Sequence, residues 1–377
     1  MTDQTALTAR FAFLTEADRL KTVERANVLM DLSRQENSAE HSWHVALFAL
    51  VFGGSDRALA MILLHDLVEI DCGDHPIHLD HDFSAVEAAE RAAAGRLFGL
   101  LPDGNDLLVL WQEFEAGETE DARFAKRMDH IQPLFQVLSA PQPLLEHVQI
   151  GRDNMVSGRC ARLWQEWPEA MAAGQALMQG QPVQGDLGRC LAFLAEADQL
   201  KSVYRASPLC DASRRENSAE HSWHLALYAL VMAPLAGPAV NIGRVIRMLI
   251  LHDLVEIDAG DVPIHAANGA AHHGAAQLAS EEAAAERLFG LLPMPLGAEL
   301  HALWREFEAN QTADAVFAKS LDRAQPVMQN IAAGGGSWID YQVTYEQLVE
   351  RVGSRIAHGA PRLWDWLSVN AQGYFAR

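Results

Sequence analysis

An internal duplication restricts this chain more than any other feature of it. Residues 11–50 return as residues 191–230 at a constant offset of 180, with 28 of 40 positions identical. The match continues in LLHDLVEIDCGDHPIH (63–78) against ILHDLVEIDAGDVPIH (250–265) and in RLFGLLP at 96–102 and again at 287–293. It extends to LWQEFEA (110–116) against LWREFEA (303–309), and to FAKRMDHIQP (124–133) against FAKSLDRAQP (317–326). A period this long copies a whole domain, since solenoid repeats run about 20–50 residues. The 377 residues are therefore expected to form two similar domains, 1–180 and 187–377. The Gly/Gln-rich stretch MQGQPVQGDLG (178–188) reads as a flexible linker between them. Hydrophobic residues make up 49% of the chain, enough for each half to bury a core of its own.

Within each copy the apolar spacing is that of helices. SAEHSWHVALFALVF, RALAMILLHDLVEI and AVEAAERAAAGRLFGLL all show it. Ser38 and Ser218 are N-cap candidates, with Glu40 and Glu220 in the first turn, where the helix dipole favours an acid. MILLHDLVEI (61–70) reads as one buried helix in which His65 and Glu69, four apart, share a face. There is no sustained two-residue alternation and no hairpin-turn signal, so the expected fold class is all-α.

Charge narrows the partners. A formal net charge of −21 repels nucleic-acid polymers and anionic membranes. No apolar run reaches the roughly 18 residues of a membrane span. A phosphate-bearing partner must then be small and held in a local pocket with a cation. Cys72, Cys160, Cys190 and Cys210 form no C-x-x-C pair, and MTDQTALTARFAFL lacks a basic-then-apolar signal pattern. A cytoplasmic protein with reduced thiols is expected.

Ionisable residues occupy positions that the helical pattern assigns to the core. MILLHDLVEI carries His65, Asp66 and Glu69, and the second copy carries His252, Asp253 and Glu256. A further histidine heads the preceding helix in each copy, His41 and His221. A further aspartate follows on another helical segment, Asp129 and Asp322. Buried ionisable groups are costly unless paired or bound to metal. A lone histidine on an apolar helix is ordinarily a satisfied core residue; four such elements, present twice, argue for a site. Two His and two Asp form a mixed nitrogen/oxygen set suited to a divalent transition metal or Mg²⁺ with positions left for water and substrate.

The ordered pattern H…HD…D resembles the HD-domain superfamily of metal-dependent phosphohydrolases. The longer strings LKTVERANVLMDLSRQENSAEHSWHVAL, LLHDLVEIDCGDHPI and FAKRMD look like its 5′-deoxynucleotidase-type branch. The resemblance spans nearly all of both copies. It implies two tandem HD-domain helical bundles and one divalent metal ion per repeat, from among Mn, Co, Ni, Zn, Fe and Mg. It implies that His41, His65, Asp66 and Asp129 hold the first ion, and His221, His252, Asp253 and Asp322 the second. Glu69 and Glu256 match the acid that orients or deprotonates the attacking water. Asp74 and Asp261 match a second acid near the leaving group. Arg25 and Arg205 match the phosphate-contacting arginine, with Arg34 and Arg214 as looser candidates. The implied reaction is removal of phosphate from a (deoxy)nucleoside monophosphate. Single-domain relatives of this type commonly pair, so the two repeats are expected to pack as an intramolecular pseudo-dimer.

Some positions depart from the pattern. After the GD turn the sequence reads HPIHLD and VPIHAA, with His78 and His265 near the expected basic position. The lysine that often follows the last aspartate is replaced by His130 and Arg323. Two other readings therefore stay open. One is a hydrolase acting on another phosphorylated small molecule, such as a nucleoside triphosphate, a cyclic nucleotide or an alarmone. The other is a metal-stabilised binding protein without catalysis. Of the remaining conspicuous residues, His44 and His224 read as structural, and Trp43 and Trp223 as buried aromatics. Trp111, Phe114, Trp304 and Phe307 read as a core stripe, and Glu90 and Glu281 as surface or supporting acids. His272 and His273 read as a solvated loop pair.

Overall fold

The computed structural model of the chain describes residues 3–266 and 274–376. His272 and His273 fall outside the described residues. The first copy runs through α1 (Asp3–Ala17), β1 (Glu24–Val28), β2 (Gln35–Asn37), α2 (Ser38–Val51), α3 (Asp56–Leu64), α4 (Glu69–Cys72), α5 (Phe83–Phe98), α6 (Gly104–Ala116), α7 (Glu120–Ser139), α8 (Leu145–Ser157), α9 (Leu163–Glu166) and α10 (Pro168–Met178). The second runs through α11 (Gly185–Ala197), β3 (Tyr204–Pro208), β4 (Arg215–Asn217), α12 (Ser218–Val231), α13 (Ile242–Leu251), α14 (Glu256–Ala259), α15 (Ala275–Phe289), α16 (Leu296–Ala309) and α17 (Ala313–Ala332), then α18 (Ser337–Asp340), α19 (Tyr345–Leu348), α20 (Ser354–Gly359) and α21 (Pro361–Phe375). The fold is helical, as the periodicity requires.

Three local features differ from the sequence reading. Each copy carries a short antiparallel ribbon, β1 on β2 and β3 on β4. These strands are three to five residues long and partly buried on both faces, so they leave no alternating pattern. The N-caps are Asn37 and Asn217, not Ser38 and Ser218: the Asn side chain accepts from the backbone N–H of Glu40 or Glu220, whose carboxylate accepts from the Asn backbone N–H in return. This reciprocal capping box satisfies two orphan donors, and it frees Ser38 and Ser218 for the site. The helix through MILLHDLVEI also breaks. α3 ends at Leu64 and α13 at Leu251, and the backbone tightens to i→i+3 bonds (Leu67 N–H to Leu64 O, Glu69 N–H to Asp66 O) before α4 and α14 begin. That change of pitch moves Glu69 off the regular helical stripe and brings it against Arg25.

The core is organised by α2 and α12, in which nearly every residue is buried. α2 packs on α3 and α7, α12 packs on α13 and α17, and α2 and α12 pack on each other. Trp43 and Trp223 are fully buried there, and Trp111, Phe114, Trp304 and Phe307 belong to the core. Contacts between the copies are reciprocal at the 180-residue offset. His44 Nε2 meets Leu194 O at 3.0 Å and His224 Nε2 meets Leu14 O at 3.0 Å. Asp198 accepts from Met30 N–H at 2.9 Å and Asp18 accepts from Cys210 N–H at 2.7 Å. Residue i of one copy touches j of the other while the equivalents of j and i touch back, which is the signature of an isologous interface.

Candidate metal centre

In the first copy four side chains from three elements converge. His41 is set on the first turn of α2 by the Asn37 cap, His65 and Asp66 lie in the break after α3, and Asp129 lies mid-way along α7. His41 Nε2 stands 3.1 Å from Asp129 Oδ1 and 3.8 Å from Asp66 Oδ2. His65 Nε2 stands 3.2 Å from Asp66 Oδ1 and 3.6 Å from Asp129 Oδ1. The second copy repeats this: His221 Nε2 lies 3.3 Å from Asp322 Oδ1 and 3.9 Å from Asp253 Oδ2, and His252 Nε2 lies 3.1 Å from Asp253 Oδ1. α7 and α17 each contain a proline four residues beyond the aspartate, Pro133 and Pro326. Proline lacks the N–H that would bond the aspartate's carbonyl, so the helix loosens at that residue.

The imidazoles are oriented from behind. His65 Nδ1 donates to Ile62 O at 2.7 Å and His252 Nδ1 to Leu249 O at 2.8 Å. His41 Nδ1 meets Gln132 Oε1 at 2.9 Å and His221 Nδ1 meets Gln325 Oε1 at 3.1 Å. Each Nε2 lone pair therefore faces the carboxylates. The Nε2 atoms of His65 and His252 are buried with no hydrogen-bond partner among the described residues. Unpaired buried polar atoms are rare and costly. His41, His65 and Asp66, and likewise His221, His252 and Asp253, each offer ligand atoms within 4.8 Å of one another. Two orphaned imidazole nitrogens facing clustered carboxylates fit a divalent cation.

Electrostatics agree. Burial works against a charge on His65, but Asp66 and Asp129 outweigh it and lift the imidazole to about 9. Burial likewise opposes the charge on Asp129, and the hydrogen bond to His41 together with the nearby His65 imidazole overcomes it, holding the carboxyl well below its usual range. In the second copy burial prevails instead and lowers His252. Burial, reinforced by Asp66, pushes Glu69 well above the ordinary carboxyl value; burial and Asp253 do the same to Glu256.

Of the other expected residues, Arg25 Nη1 reaches Asp66 Oδ2 at 2.9 Å, Glu69 Oε1 at 3.4 Å and Asp74 Oδ1 at 3.6 Å. Arg205 holds Asp253, Glu256 and Asp261 in the same way at 2.7, 3.6 and 3.9 Å. Ser38 Oγ donates to Glu69, and Ser218 Oγ to Glu256. Arg34 and Arg214, the looser candidates, line neither cavity. Arg34 forks onto Glu40 at 2.5 and 2.9 Å and donates to Lys201 O at 2.7 Å, and Arg214 makes the matching bonds to Glu220 and Lys21 O. The bidentate pair on a buried carboxylate and the bond to the other repeat engage both Nη groups of each guanidinium.

Each centre opens into a cavity, and the two differ. The first, of about 650 Å³, is lined by Arg25, His78, Lys126, His130, Arg159 and Arg162 among others. The second, of about 130 Å³, is closed in part by Trp338, Tyr341, Leu348 and Val352. Glu90 and Glu281 line these cavities rather than free surface. Gln132 and Gln325, which hold the histidines, went unnoticed in the sequence. Their signal was the repeated D-x-x-Q-P, which sets Gln one turn from Asp on the same helix face.

A helical chain with paired His–Asp centres on two copies of one bundle defines the class of protein. The model of the HD domain matches residues 17–171 and again 197–364, and the chain belongs to the HD domain family. Among proteins similar to it, human 5′-deoxynucleotidase HDDC2 is 31% identical over 141 residues, covering 37% of this chain and 65% of that protein. The Xenopus laevis 5′-deoxynucleotidase HDDC2 is 30% identical over 166 residues, covering 43% of this chain and 72% of that one. The chain thus spans about two thirds of the length of these relatives. The crystal structure of a predicted metal-dependent phosphohydrolase from Magnetospirillum magnetotacticum MS-1 is 44% identical, covering 51% of this chain and 96% of that one, with a TM-score of 0.47. Among the described residues no helix is long and apolar enough to cross a membrane.

Proposed function

We propose that the chain is a metal-dependent phosphohydrolase that removes the 5′-phosphate from (deoxy)nucleoside monophosphates, with one divalent ion per repeat. The observation that carries this reading is the pair of orphaned buried Nε2 atoms, on His65 and His252, each facing clustered carboxylates at the floor of a cavity. Relatives that bear the name 5′-deoxynucleotidase support the substrate class. His41, His65, Asp66 and Asp129 would hold the first ion, and His221, His252, Asp253 and Asp322 the second. A divalent cation bound there supplies charge for phosphoryl oxygens and acidifies a water.

The chain's own groups divide the rest of the work. Arg25 and Arg205 are assigned to the phosphate, whose oxygens their guanidiniums can grip in bidentate fashion. Glu69 and Glu256, raised by burial and bonded to Ser38 and Ser218, are assigned as proton acceptors for the attacking water. Asp74 and Asp261 are assigned to the leaving oxygen. Small-molecule sites occupy about 300–1,000 Å³; the first cavity falls in that range and the second below it. The first repeat is accordingly assigned most of the nucleotide turnover.

Two further assignments follow the sequence reading. The copies are taken as domains 1–180 and 187–377, arranged as an intramolecular pseudo-dimer; the reciprocal contacts at the 180-residue offset support the pairing. The protein is taken as cytoplasmic. The test of function is phosphate release from a panel of nucleotides and sugar phosphates after chelation and re-addition of Mn²⁺, Co²⁺, Ni²⁺, Zn²⁺ or Mg²⁺. Metal-restored release from 5′-monophosphates is expected; release independent of metal, or none from any nucleotide, would overturn the proposal.

A further inference from the structure

Two buried clusters between the repeats take no part in the chemistry proposed above. In one, the Lys201 ammonium of the second repeat reaches Asp198 Oδ1 at 2.5 Å, Glu36 Oε1 at 2.7 Å, Gln136 Oε1 at 2.9 Å and His44 Nδ1 at 3.1 Å. In the other, Lys21 of the first repeat reaches Glu216 Oε1 at 2.6 Å and His224 Nδ1 at 3.0 Å, and pairs closely with Asp18. Both lysines are buried to within 1% of completely. Asp18, Glu216 and His224 alone have the composition and spacing of a cation site. The Lys21 ammonium is hydrogen-bonded to all three, so it provides the positive charge an ion would bring.

Burying an ammonium with carboxylates is a poor way to hold two bundles together, because apolar side chains of equal volume do as well or better. What these clusters do accomplish is visible in the next bond. Glu36 lies 3.5 Å from Gln132 Nε2, and Gln132 Oε1 takes the Nδ1–H of His41. Gln132 Nε2 also meets His44 Nδ1 at 3.0 Å and Gln136 Oε1 at 2.5 Å, the same two groups that hold Lys201. In the second copy Glu216 Oε1 accepts from Gln325 Nε2 at 2.8 Å, Gln325 Oε1 takes the Nδ1–H of His221, and Glu216 Oε2 lies 3.3 Å from the same Nδ1. The glutamine amide is therefore oriented by the acid, and the acid by the lysine of the opposite repeat.

We infer that each metal centre is completed in trans: Lys201 positions His41 through Glu36 and Gln132, and Lys21 positions His221 through Glu216 and Gln325. The crossing sets the tautomer and ring orientation of one metal histidine in each repeat from the other, so neither half presents a finished centre alone. The lysines are positioning residues and touch no reacting atom. The inference rests on the metal reading above.

The test is a crossed one. Asp253→Ala leaves only the first centre and Asp66→Ala only the second. Lys21→Met and Lys201→Met are introduced separately into both, and Mn²⁺ affinity is titrated. Loss of a group that orients a metal ligand costs about 10–100-fold in metal affinity. With only the first centre intact, Lys201→Met should weaken Mn²⁺ by that factor and Lys21→Met should not; with only the second intact, the order reverses. The clusters are near copies, so a folding defect strikes both substitutions alike and the difference between them survives it. If the Met variants do not fold, Lys21→Arg and Lys201→Arg keep the charge and are compared in the same way. Equal effects, or a stronger effect on the centre in the lysine's own repeat, would overturn the inference alone. No Mn²⁺ binding in either single-centre parent would overturn the metal reading and the inference with it.

Discussion

Asn37 donates a 2.6 Å hydrogen bond to Glu220 Oε1 of the opposite repeat while its own Oδ1 caps α2. Asn217 returns the bond to Glu40 Oε1 at 2.6 Å and caps α12. The residue that starts each central helix thus also joins the two copies. Asn37→Ala removes a cap worth about 1 kcal/mol and leaves a buried Glu220 oxygen one donor short, at about 1–3 kcal/mol. Urea unfolding should show a loss of about 2–4 kcal/mol. A loss below about 0.5 kcal/mol, the scale of an ordinary surface change, would show that the bond contributes nothing.

The same interface carries a pH dependence. Burial pushes the Glu40 carboxyl up to about 7; Arg34's hydrogen bond opposes the shift and the charge of Glu220 adds to it. The folded value lies above the unfolded 4.5. The folded protein therefore holds a proton that the unfolded chain has released, and the stability from this group is full below about 4.5 and lost as pH rises to about 7. Measured against Glu40→Gln, which does not titrate, the wild type should lose about 3 kcal/mol of relative stability across that window. A relative gain with rising pH would contradict the assignment.

Removing one ligand should empty one centre only. Asp66→Ala is expected to lower bound divalent metal from two to about one per chain, and Asp253→Ala to do the same through the other repeat, as metal analysis after dialysis would show, since each proposed site would lose one of its two carboxylates. An unchanged content in both variants would refute the ligand assignment.

The unequal cavities predict unequal turnover. Glu69→Ala, in the 650 Å³ repeat, should cut kcat/KM for nucleoside monophosphates by about 10²-fold or more, the usual scale for a lost general base. Glu256→Ala, in the 130 Å³ repeat, should cost under twofold with those substrates, and the double variant should lose nearly all activity while still binding metal. Equal halving by the two single variants would show that both cavities admit the nucleotide.

Periodicity and repetition were enough to read the helical class and the duplication, because each of these is written in local spacing and is said twice. Four things were not local. The break after Leu64 and Leu251 places two acids on Arg25 and Arg205, which come from a strand some forty residues upstream. The caps fell to Asn37 and Asn217, which leaves Ser38 and Ser218 bonded to Glu69 and Glu256 on another element. Arg34 and Arg214 look like phosphate ligands by type, yet buried carboxylates and carbonyls of the facing repeat claim them first. Nothing local marks Lys21 and Lys201, and only the packing of the two copies carries each ammonium into the other repeat's core, where desolvation compels it to find carboxylates. Sequence determined which groups the protein owns; the meeting of two copies decided which of them face a substrate and which hold the halves together.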